Sequence, residues 1–158
     1  MGCGRLTSLT IRSLLPPPWP ALAPLVDESR REGFSFLVRL RADFENGSNR
    51  FDAAGEALLG GWCGEALVAV GGLNRDPYAP EPRVGRLRHL YVAHAFRGRG
   101  VGRALVEALV SAAATHYDVL RLRTDTPDAA RFYEALGFVP VAERHATHRL
   151  VLVRPPTA

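Results

Sequence analysis

The segment from His89 to Leu109 restricts the fold of this chain more than any other stretch. It begins as an apolar strand, passes through glycines at alternate positions (Gly98, Gly100 and Gly102) and continues directly into a helix rich in alanine, leucine and valine. The first N–H groups of a helix have no partner inside it, and the helix dipole places partial positive charge there. Glycines let a ligand approach the main chain without a Cβ in the way. The segment therefore predicts a strand, a turn and a helix N-terminus that bind an anionic group such as a phosphate.

Arginines around this turn strengthen the prediction. Arg97, Arg99 and Arg103 can donate charge-assisted hydrogen bonds, and a ligand with a pyrophosphate would fit. From residue 83 to residue 103 there are six arginines and no carboxylate, in a chain of formal net charge +4. A nucleic-acid surface is the rival interpretation, but the stretch lacks interleaved aromatic residues and shows no helix-turn-helix or zinc-finger spacing. We therefore expect no nucleic-acid partner.

The spacing of the glycines distinguishes between classes of phosphate-binding loop. A Walker loop needs a Gly-Lys pair followed by Ser or Thr, and the chain contains no lysine. A dinucleotide-binding loop of the form G-x-G-x-x-G would need a glycine at position 103, which is an arginine. The run Arg97-Gly-Arg-Gly-Val-Gly102 instead resembles the (Gln/Arg)-x-x-Gly-x-(Gly/Ala) signature of the GNAT acyltransferase superfamily, whose loop holds the pyrophosphate of acetyl-CoA. For this motif alone, a glycine-rich turn without a ligand is the alternative.

Length and composition predict a single globular domain over residues 1–158. A chain of 158 residues with 47% hydrophobic and 23% charged residues can bury one core. Prolines interrupt the uncharged run from Leu14 to Val26, which therefore cannot form a membrane helix or a signal-peptide core. Cys3 and Cys63 show no metal or redox spacing, and Cys63 is predicted to be a buried thiol. These observations predict a cytoplasmic protein with no metal and no membrane partner.

The spacing of apolar residues predicts an α/β fold. The predicted strands cover residues 6–15, 57–63, 66–73, 83–92, 119–124, 138–142 and 147–153. The predicted helices cover residues 21–31, 36–44, 101–116 and 127–136, with Thr126 as the N-cap of the last helix and Pro127 at its first position. The order β-α-α-β-β-β-α-β-α-β-β predicts one mixed sheet covered by helices on both faces.

A second motif strengthens the resemblance to the GNAT superfamily. The run Ala129-Ala-Arg-Phe-Tyr-Glu-Ala-Leu-Gly-Phe138 is similar to the family's second signature, A-x-x-F-Y-x-x-x-G-F. The predicted element order is also that of the GNAT fold, so the resemblance covers residues 6–153. It implies the GNAT acyl-CoA N-acyltransferase fold, with a central mixed, mostly antiparallel sheet of about seven strands and helices on both faces.

The resemblance also implies roles for individual residues. The backbone of Leu90, Tyr91 and Val92 would pair with the pantetheine arm of acetyl-CoA, and a main-chain N–H near Val92 would polarise the thioester carbonyl. Tyr133 would protonate the departing CoA thiolate, although an aromatic residue at helical spacing also suits a core. The other implied cofactor-binding residues are Arg97, Gly98, Arg99, Gly100, Val101, Gly102, Arg103 and Thr126.

The general base is the main departure from the family pattern. Many GNAT members carry a glutamate on the strand before the glycine turn, at positions that here are Arg86 and Arg88. An arginine cannot accept a proton at neutral pH. His89 lies close by and a bulge in the strand could re-aim it, although a core or surface histidine is the simpler interpretation. Glu65 and Asp125 are weaker candidates, and bulk water is another.

The function that the resemblance implies is transfer of acetyl from acetyl-CoA to a primary amine by direct attack, without a metal. A CoA-binding or regulatory module that has lost catalysis is the alternative, because arginines stand where a carboxylate is expected. The acceptor, a small-molecule or peptide amine, is not specified by the sequence, and a homodimer is one alternative for the oligomeric state. Carboxylates of the first two helices either steer a cationic amine or form a solvated face: Asp27, Glu28, Glu32, Asp43 and Glu45.

Overall fold

A computed structural model describes residues 8–153, which form seven strands and four helices. The strands are β1 (Leu9–Ser13), β2 (Ala57–Cys63), β3 (Ala66–Arg75), β4 (Val84–Val92), β5 (Val119–Leu122), β6 (Val139–Pro140) and β7 (His148–Val151). The helices are α1 (Trp19–Arg31), α2 (Phe36–Asn46), α3 (Val101–Ala113) and α4 (Pro127–Ala135), and a short 3₁₀ turn covers His94–Phe96. The predicted order of elements is confirmed.

The seven strands form one sheet in the order β1-β2-β3-β4-β5-β7-β6. β4 and β5 run parallel, and all the other neighbouring strands are antiparallel. The parallel pair requires a crossover, which α3 supplies. The prediction of a mixed, mostly antiparallel sheet is therefore confirmed.

Helices cover both faces of this sheet. On one face, α3 buries Val101, Leu105 and Leu109 in a core that also contains Tyr133 of α4. On the other face, α1 and α2 contribute the fully buried leucines of a second core: Leu22, Leu37 and Leu40. Truncation of any of these leucines to alanine should cost about 2–5 kcal/mol of stability, because the cavity left behind adds to the lost burial.

The largest differences from the predicted boundaries lie at strand ends. β5 stops at Leu122 because the main-chain N–H of Thr124 donates to the Thr147 hydroxyl, at 3.0 Å, instead of continuing the ladder. β3 continues to Arg75, which pairs with Gly85 where a loop was predicted. β6 and β7 are shorter than predicted. Residues 6 and 7 of the predicted first strand lie outside the described residues.

Cys63 requires a correction. It is buried at the end of β2 as predicted, but it is disulfide-bonded and not a thiol. Cys3 lies outside the described residues. The prediction of a cytoplasmic protein relied partly on unpaired cysteines and loses that support.

Candidate active site

β4 and β5 separate partway along their length and open a groove. Their pairing covers only residues 84–86 of β4 and 119–121 of β5. β4 then continues to Val92, paired on its other edge with β3. Main-chain groups on the β5-facing edge of β4 are therefore available to a ligand that runs between the strands.

A β-bulge in β4 lies close to this separation. Gly72 pairs with Arg88 and Val70 pairs with Tyr91, so β4 carries one more residue than β3 between these pairs. His89 has a φ of 59°, which is unusual for a residue other than glycine. The β-bulge that the sequence analysis considered near His89 is therefore present in β4. It brings the His89 ring to α2, where Nδ1 lies 3.0 Å from the carbonyl oxygen of Phe36.

The turn after β4 presents main-chain N–H groups to the groove. Gly98 and Gly100 have φ values of 75° and 82°, in the left-handed region that favours glycine. α3 begins at Val101, and within the described part of the chain no side chain caps its N-terminus. The N–H groups of its first turn can therefore donate to an anion, which is the geometry that a phosphate site requires.

A cavity of about 1190 Å³ follows the groove and has two sides. We define its α3 side as Leu90, Val92, Arg97, Gly98, residues 100–103, Thr126 and Tyr133. We define its α2 side as Phe36, Arg39, Tyr78, Arg86, Arg88, His89 and His145. Tyr91 also lines the cavity. Every residue predicted to bind cofactor or to act in catalysis lies here except Arg99, whose guanidinium is 5.6 Å from the centre of the Phe96 ring.

The main-chain N–H of Val92 faces the open edge of β4. Successive N–H groups of a strand point to opposite edges. The Ala93 N–H donates to the carbonyl oxygen of Val68 on the β3 side, at 2.8 Å. The Val92 N–H therefore faces the opposite edge, where β5 has separated from β4. A thioester carbonyl bound in the groove would have to lie on this edge.

α4 holds Tyr133 in the cavity wall. The Thr126 hydroxyl accepts a hydrogen bond from the Ala129 N–H at 3.2 Å, which confirms the predicted N-cap of α4. Tyr133 is 7% exposed and packs edge-on against Phe132 and Phe138. Burial raises the pKa of its hydroxyl well above the ordinary value of 10.0. The hydroxyl is therefore protonated at neutral pH, the form that a general acid requires.

Two carboxylates of α1 and its C-terminal end meet Tyr91 beside the groove. The Tyr91 hydroxyl lies 2.6 Å from Glu28 Oε2 and 2.5 Å from Glu32 Oε1, so the two carboxylates share its proton. Arg97 donates to both oxygens of Glu32, at 3.0 and 2.6 Å, and its Nε donates to the Val92 carbonyl at 3.0 Å. This network ties the end of α1 to the end of β4.

The network shifts the pKa values of its members. The hydrogen bonds from Arg97 and then from Tyr91 lower the pKa of Glu32 below 4.5, and the Glu32 partner raises the pKa of Arg97. Burial, followed by the hydrogen bonds to Glu28 and Glu32, raises the pKa of Tyr91. Glu32 and Arg97 are therefore charged partners at neutral pH, so a pyrophosphate would share Arg97 with Glu32.

The arginine at the first expected base position has a structural partner. Arg86 lies 3.5 Å from Asp76, which is fully buried, and Arg121 approaches the same carboxylate oxygen at 3.3 Å. The Arg86 guanidinium also lies over the Tyr78 ring, 5.0 Å from its centre. Arg86 thus neutralises a buried carboxylate, and it accepts no proton.

His89 is held neutral by its surroundings. It is 7% exposed, and burial followed by the charge of Arg88 lowers its pKa to about 4. Its Nδ1 donates to the Phe36 carbonyl, so Nε2 carries the lone pair, and Nε2 has no hydrogen-bond partner within residues 8–153. His89 is therefore a core histidine with one unused acceptor.

The other candidate bases and acids separate into those near the cavity and those away from it. Asp125 lines the cavity and lies 3.5 Å from Arg123, whereas Glu65 is exposed in the β2–β3 hairpin. Of the five carboxylates on the first two helices, Glu28 and Glu32 reach β4, while Glu45 pairs with Arg41. The i, i+4 spacing of Glu28 and Glu32 just before Gly33 was a signal for their shared direction.

Sequence reasoning missed most of the α2 side. Phe36 and Arg39 come from α2, Tyr78 from the β3–β4 loop and His145 from the β6–β7 loop. The Tyr78 and His145 rings stack with centres 4.0 Å apart, although 67 positions of sequence separate them. No local pattern signals such a contact. Within residues 8–153, no cluster of three or more His, Cys, Asp or Glu side chains is arranged to hold a metal, and no helix is long and apolar enough to cross a membrane.

Comparison with known proteins agrees with this geometry. The family described as "Acetyltransferase (GNAT) domain" matches residues 57–140, more than half of the chain. The chain is 32% identical to N-alpha-acetyltransferase RimI of Mycobacterium tuberculosis over 92 residues, 58% of each chain. It spans less than two thirds of the lengths of the curated relatives it matches, 58% of RimI and 32% of a Mycobacterium leprae protein.

Two solved structures show the same fold. A structure from Exiguobacterium sp. 255-15 is 32% identical and superposes with a TM-score of 0.80, covering 90% of this chain and 93% of that one. The structure of yncA from Salmonella typhimurium, solved with its cofactor acetyl-CoA, is 16% identical, with a TM-score of 0.67 and coverage of 95% and 97%. With the family match over strands β2 to β6 and the turn before α3, these similarities establish that the chain belongs to the GNAT acetyltransferase family.

Proposed function

We propose that this protein is an N-acetyltransferase that uses acetyl-CoA and acetylates a primary amine. The observation that carries the proposal is the uncapped N-terminus of α3 behind left-handed Gly98 and Gly100, at the end of a strand that has separated from its neighbour. The acetyl-CoA bound to yncA and the N-alpha-acetyltransferase activity in the name of RimI support it.

The residues of the α3 side fit this cosubstrate. The main-chain amides of residues 98–103 would hold the pyrophosphate, with charge from Arg97, Arg99 and Arg103. The free edge of β4 at Leu90 and Val92, with Tyr91 between them, would pair with the amides of the pantetheine arm, as a further strand would. Thr126, already the cap of α4, would line the same passage.

When bound, acetyl-CoA would supply an acetyl thioester, whose C–S bond breaks as the bond to the amine nitrogen forms. The Val92 N–H would stabilise the negative charge that develops on the carbonyl oxygen. The Tyr133 hydroxyl would give its proton to the sulfur that leaves, and it would regain a proton from solvent or from the amine nitrogen. The products are an N-acetyl amide and CoA, and no covalent enzyme intermediate forms.

The amine would enter from the α2 side in its neutral form. Arg39 and Arg88 line this side, and their charges disfavour an ammonium ion there. With arginines at the positions where a glutamate base is common, the proton lost by the amine would leave to water. This explains how the site could work without a carboxylate at residue 86 or 88.

A screen of primary amines tests the proposal. Each amine is incubated with acetyl-CoA, CoA release is recorded and the N-acetyl product is identified by mass. Turnover of at least one amine, abolished when acetyl-CoA is omitted, is the expected result. Tight binding of acetyl-CoA without turnover of any amine would favour the alternative, a CoA-binding module that has lost catalysis.

A further inference from the structure

Six arginines line the cavity, and their ion pairs divide them into two groups. Four have a carboxylate partner: Arg86 with Asp76, Arg97 with Glu32, Arg103 with Glu107 and Arg123 with Asp125. Arg39 and Arg88 form no ion pair within residues 8–153, although both belong to the α2 side. An arginine that lines a cavity without a counterion is a typical binding group for an anion.

These two arginines lie close to the same buried histidine. The charges of Arg88 and Arg39 both act on His89, which lies on β4 next to Arg88 and contacts α2, the helix of Arg39. Arg86 is near enough to Arg88 for the two charges to repel. Positive charge is therefore concentrated on this side of the cavity. The buried carboxylate of Asp76, just after β3, is already paired with Arg86 and Arg121.

His89 supplies the second observation. It is more than nine-tenths buried, lines the cavity and keeps Nε2 without a partner in the described chain. Its Nδ1 is occupied by the Phe36 carbonyl, so Nε2 can only accept a hydrogen bond. Nε2 is also closed off from solvent, so His89 stays a neutral imidazole and brings no negative charge to balance Arg39 and Arg88.

We propose that the acceptor is an amine that also carries a carboxylate, and that Arg88 and Arg39 bind this carboxylate. This inference rests on the proposed function and specifies its substrate class. The flat guanidinium fork matches a carboxylate in two parallel hydrogen bonds. A free amino acid and a peptide with an acidic residue near its N-terminus both offer this chemistry.

Matched acceptor pairs test the proposal. Amino acids are compared with their own α-amides, and peptides with an acidic second residue are compared with the corresponding Asn or Gln peptides. The α-ammonium group of an amino acid amide loses its proton more readily than that of the amino acid. Without recognition of the carboxylate, the amide should therefore be the better acceptor. We expect kcat/KM to be at least about tenfold higher for the carboxylate member of one type of pair. The pair that shows the difference identifies the source of the carboxylate.

Variants assign the effect to the two arginines. Arg88→Gln, and separately Arg39→Gln on the exposed surface of α2, should remove the preference by raising KM for the carboxylate acceptor while acetyl-CoA affinity is kept. Arg149→Gln is the control, since Arg149 is exposed and outside the cavity. Because Arg39 is exposed, its variant should fold even if the Arg88 variant does not.

Two results would overturn the inference. Turnover of the amide members at rates equal to or above those of the acids would refute the carboxylate site and leave the acetyltransferase function intact. A preference that survives both arginine variants would also refute it. If neither the acid nor the amide of a pair is acetylated, calorimetric titration of the CoA complex with each of them decides. Binding of the acid but not of the amide, lost in Arg88→Gln, would support the carboxylate site although the proposed function fails. Absence of binding would overturn both the carboxylate site and the proposed function.

Discussion

The α3 side and the α2 side of the cavity are built in different ways. The α3 side consists largely of main chain: the Val92 edge, the left-handed glycines and the first turn of α3. The α2 side consists of side chains from α2, the bulged strand β4 and two loops. Main-chain groups bind a ligand whatever the neighbouring side chains are, whereas a side-chain surface changes with every substitution. A cosubstrate common to a family suits the first construction, and an acceptor particular to one protein suits the second.

The largest effect should come from the hydroxyl of Tyr133. Tyr133→Phe should lower kcat roughly 10²–10⁴-fold, because the departing thiolate loses its proton donor. Stability should change little, since this hydroxyl makes no hydrogen bond within residues 8–153. Tyr117→Phe is the control: its hydroxyl donates to the Gly55 carbonyl at 2.7 Å, away from the cavity, so stability should fall by about 1 kcal/mol while kcat is kept. Unchanged kcat in Tyr133→Phe would remove its assigned role.

The buried histidine of the α2 side should make stability depend on pH. Burial lowers the pKa of His89 from 6.5 to about 4, so between these values the unfolded chain binds a proton that the folded chain does not. The free energy of unfolding should therefore fall by about 3 kcal/mol as the pH falls from 6.5 toward 4.

Urea unfolding at several pH values measures this loss. The free energy of unfolding should fall less steeply with decreasing pH in His89→Gln than in the wild type. His116→Gln should keep the wild-type slope, since His116 is exposed. Equal slopes in the wild type and His89→Gln would show that His89 is accessible to protons in the folded state, contrary to its burial.

Substitutions at two glycines distinguish the effect of main-chain strain from the loss of a ligand contact on the α3 side. Gly98 and Gly64 have φ values of 75° and 61°, and a Cβ at either would meet nothing within 4 Å. Gly98→Ala and Gly64→Ala should therefore each cost about 1–2 kcal/mol of stability. Only Gly98→Ala should weaken acetyl-CoA binding, by roughly tenfold, because Gly64 lies in the β2–β3 hairpin. Equal affinities of both variants for acetyl-CoA would mean that the ligand does not contact the turn.

The smallest effect should come from the ion pair between Arg97 and Glu32 at the end of α1. Arg97→Gln should lower stability by about 1 kcal/mol at neutral pH, since solvent screens much of the pair with Glu32. Folding lowers the pKa of Glu32 below its ordinary value of 4.5. The pair therefore contributes its whole stabilisation above pH 4.5 and loses it as the pH falls through the pKa of Glu32 in the folded protein. The variant should lack that acid-dependent loss.

A control for this pair is available on α2. Arg41→Gln removes the exposed pair with Glu45 and should cost only about 0.3–0.5 kcal/mol. Thermal unfolding from pH 7 to pH 3 measures both variants. Equal losses in the two variants would mean that the contacts at the end of α1 add nothing to the Arg97–Glu32 pair.

The difference between the α3 side, built from one local segment, and the α2 side, built from distant segments, explains which features could be predicted from the sequence. Local patterns indicate local structure, so the strand, glycine turn and helix of residues 89–109 and the Thr126 cap were all predictable. The bulge could be suspected at His89 but not located, because it depends on the register of β3 against β4. The stack of Tyr78 on His145 and the pair of Arg86 with Asp76 join elements distant in sequence, and only the folded sheet brings them together. Cys63 was misjudged because its bonding partner is not encoded in the strand pattern.

The central claim is that the turn from residue 97 to residue 103 holds the diphosphate of acetyl-CoA, and calorimetric titration of the whole chain with acetyl-CoA tests it most directly. One molecule of acetyl-CoA should bind per chain, and added salt should weaken the binding because arginines contribute to it. Absence of binding heat at two temperatures, or binding that Gly98→Ala leaves unchanged, would contradict the claim.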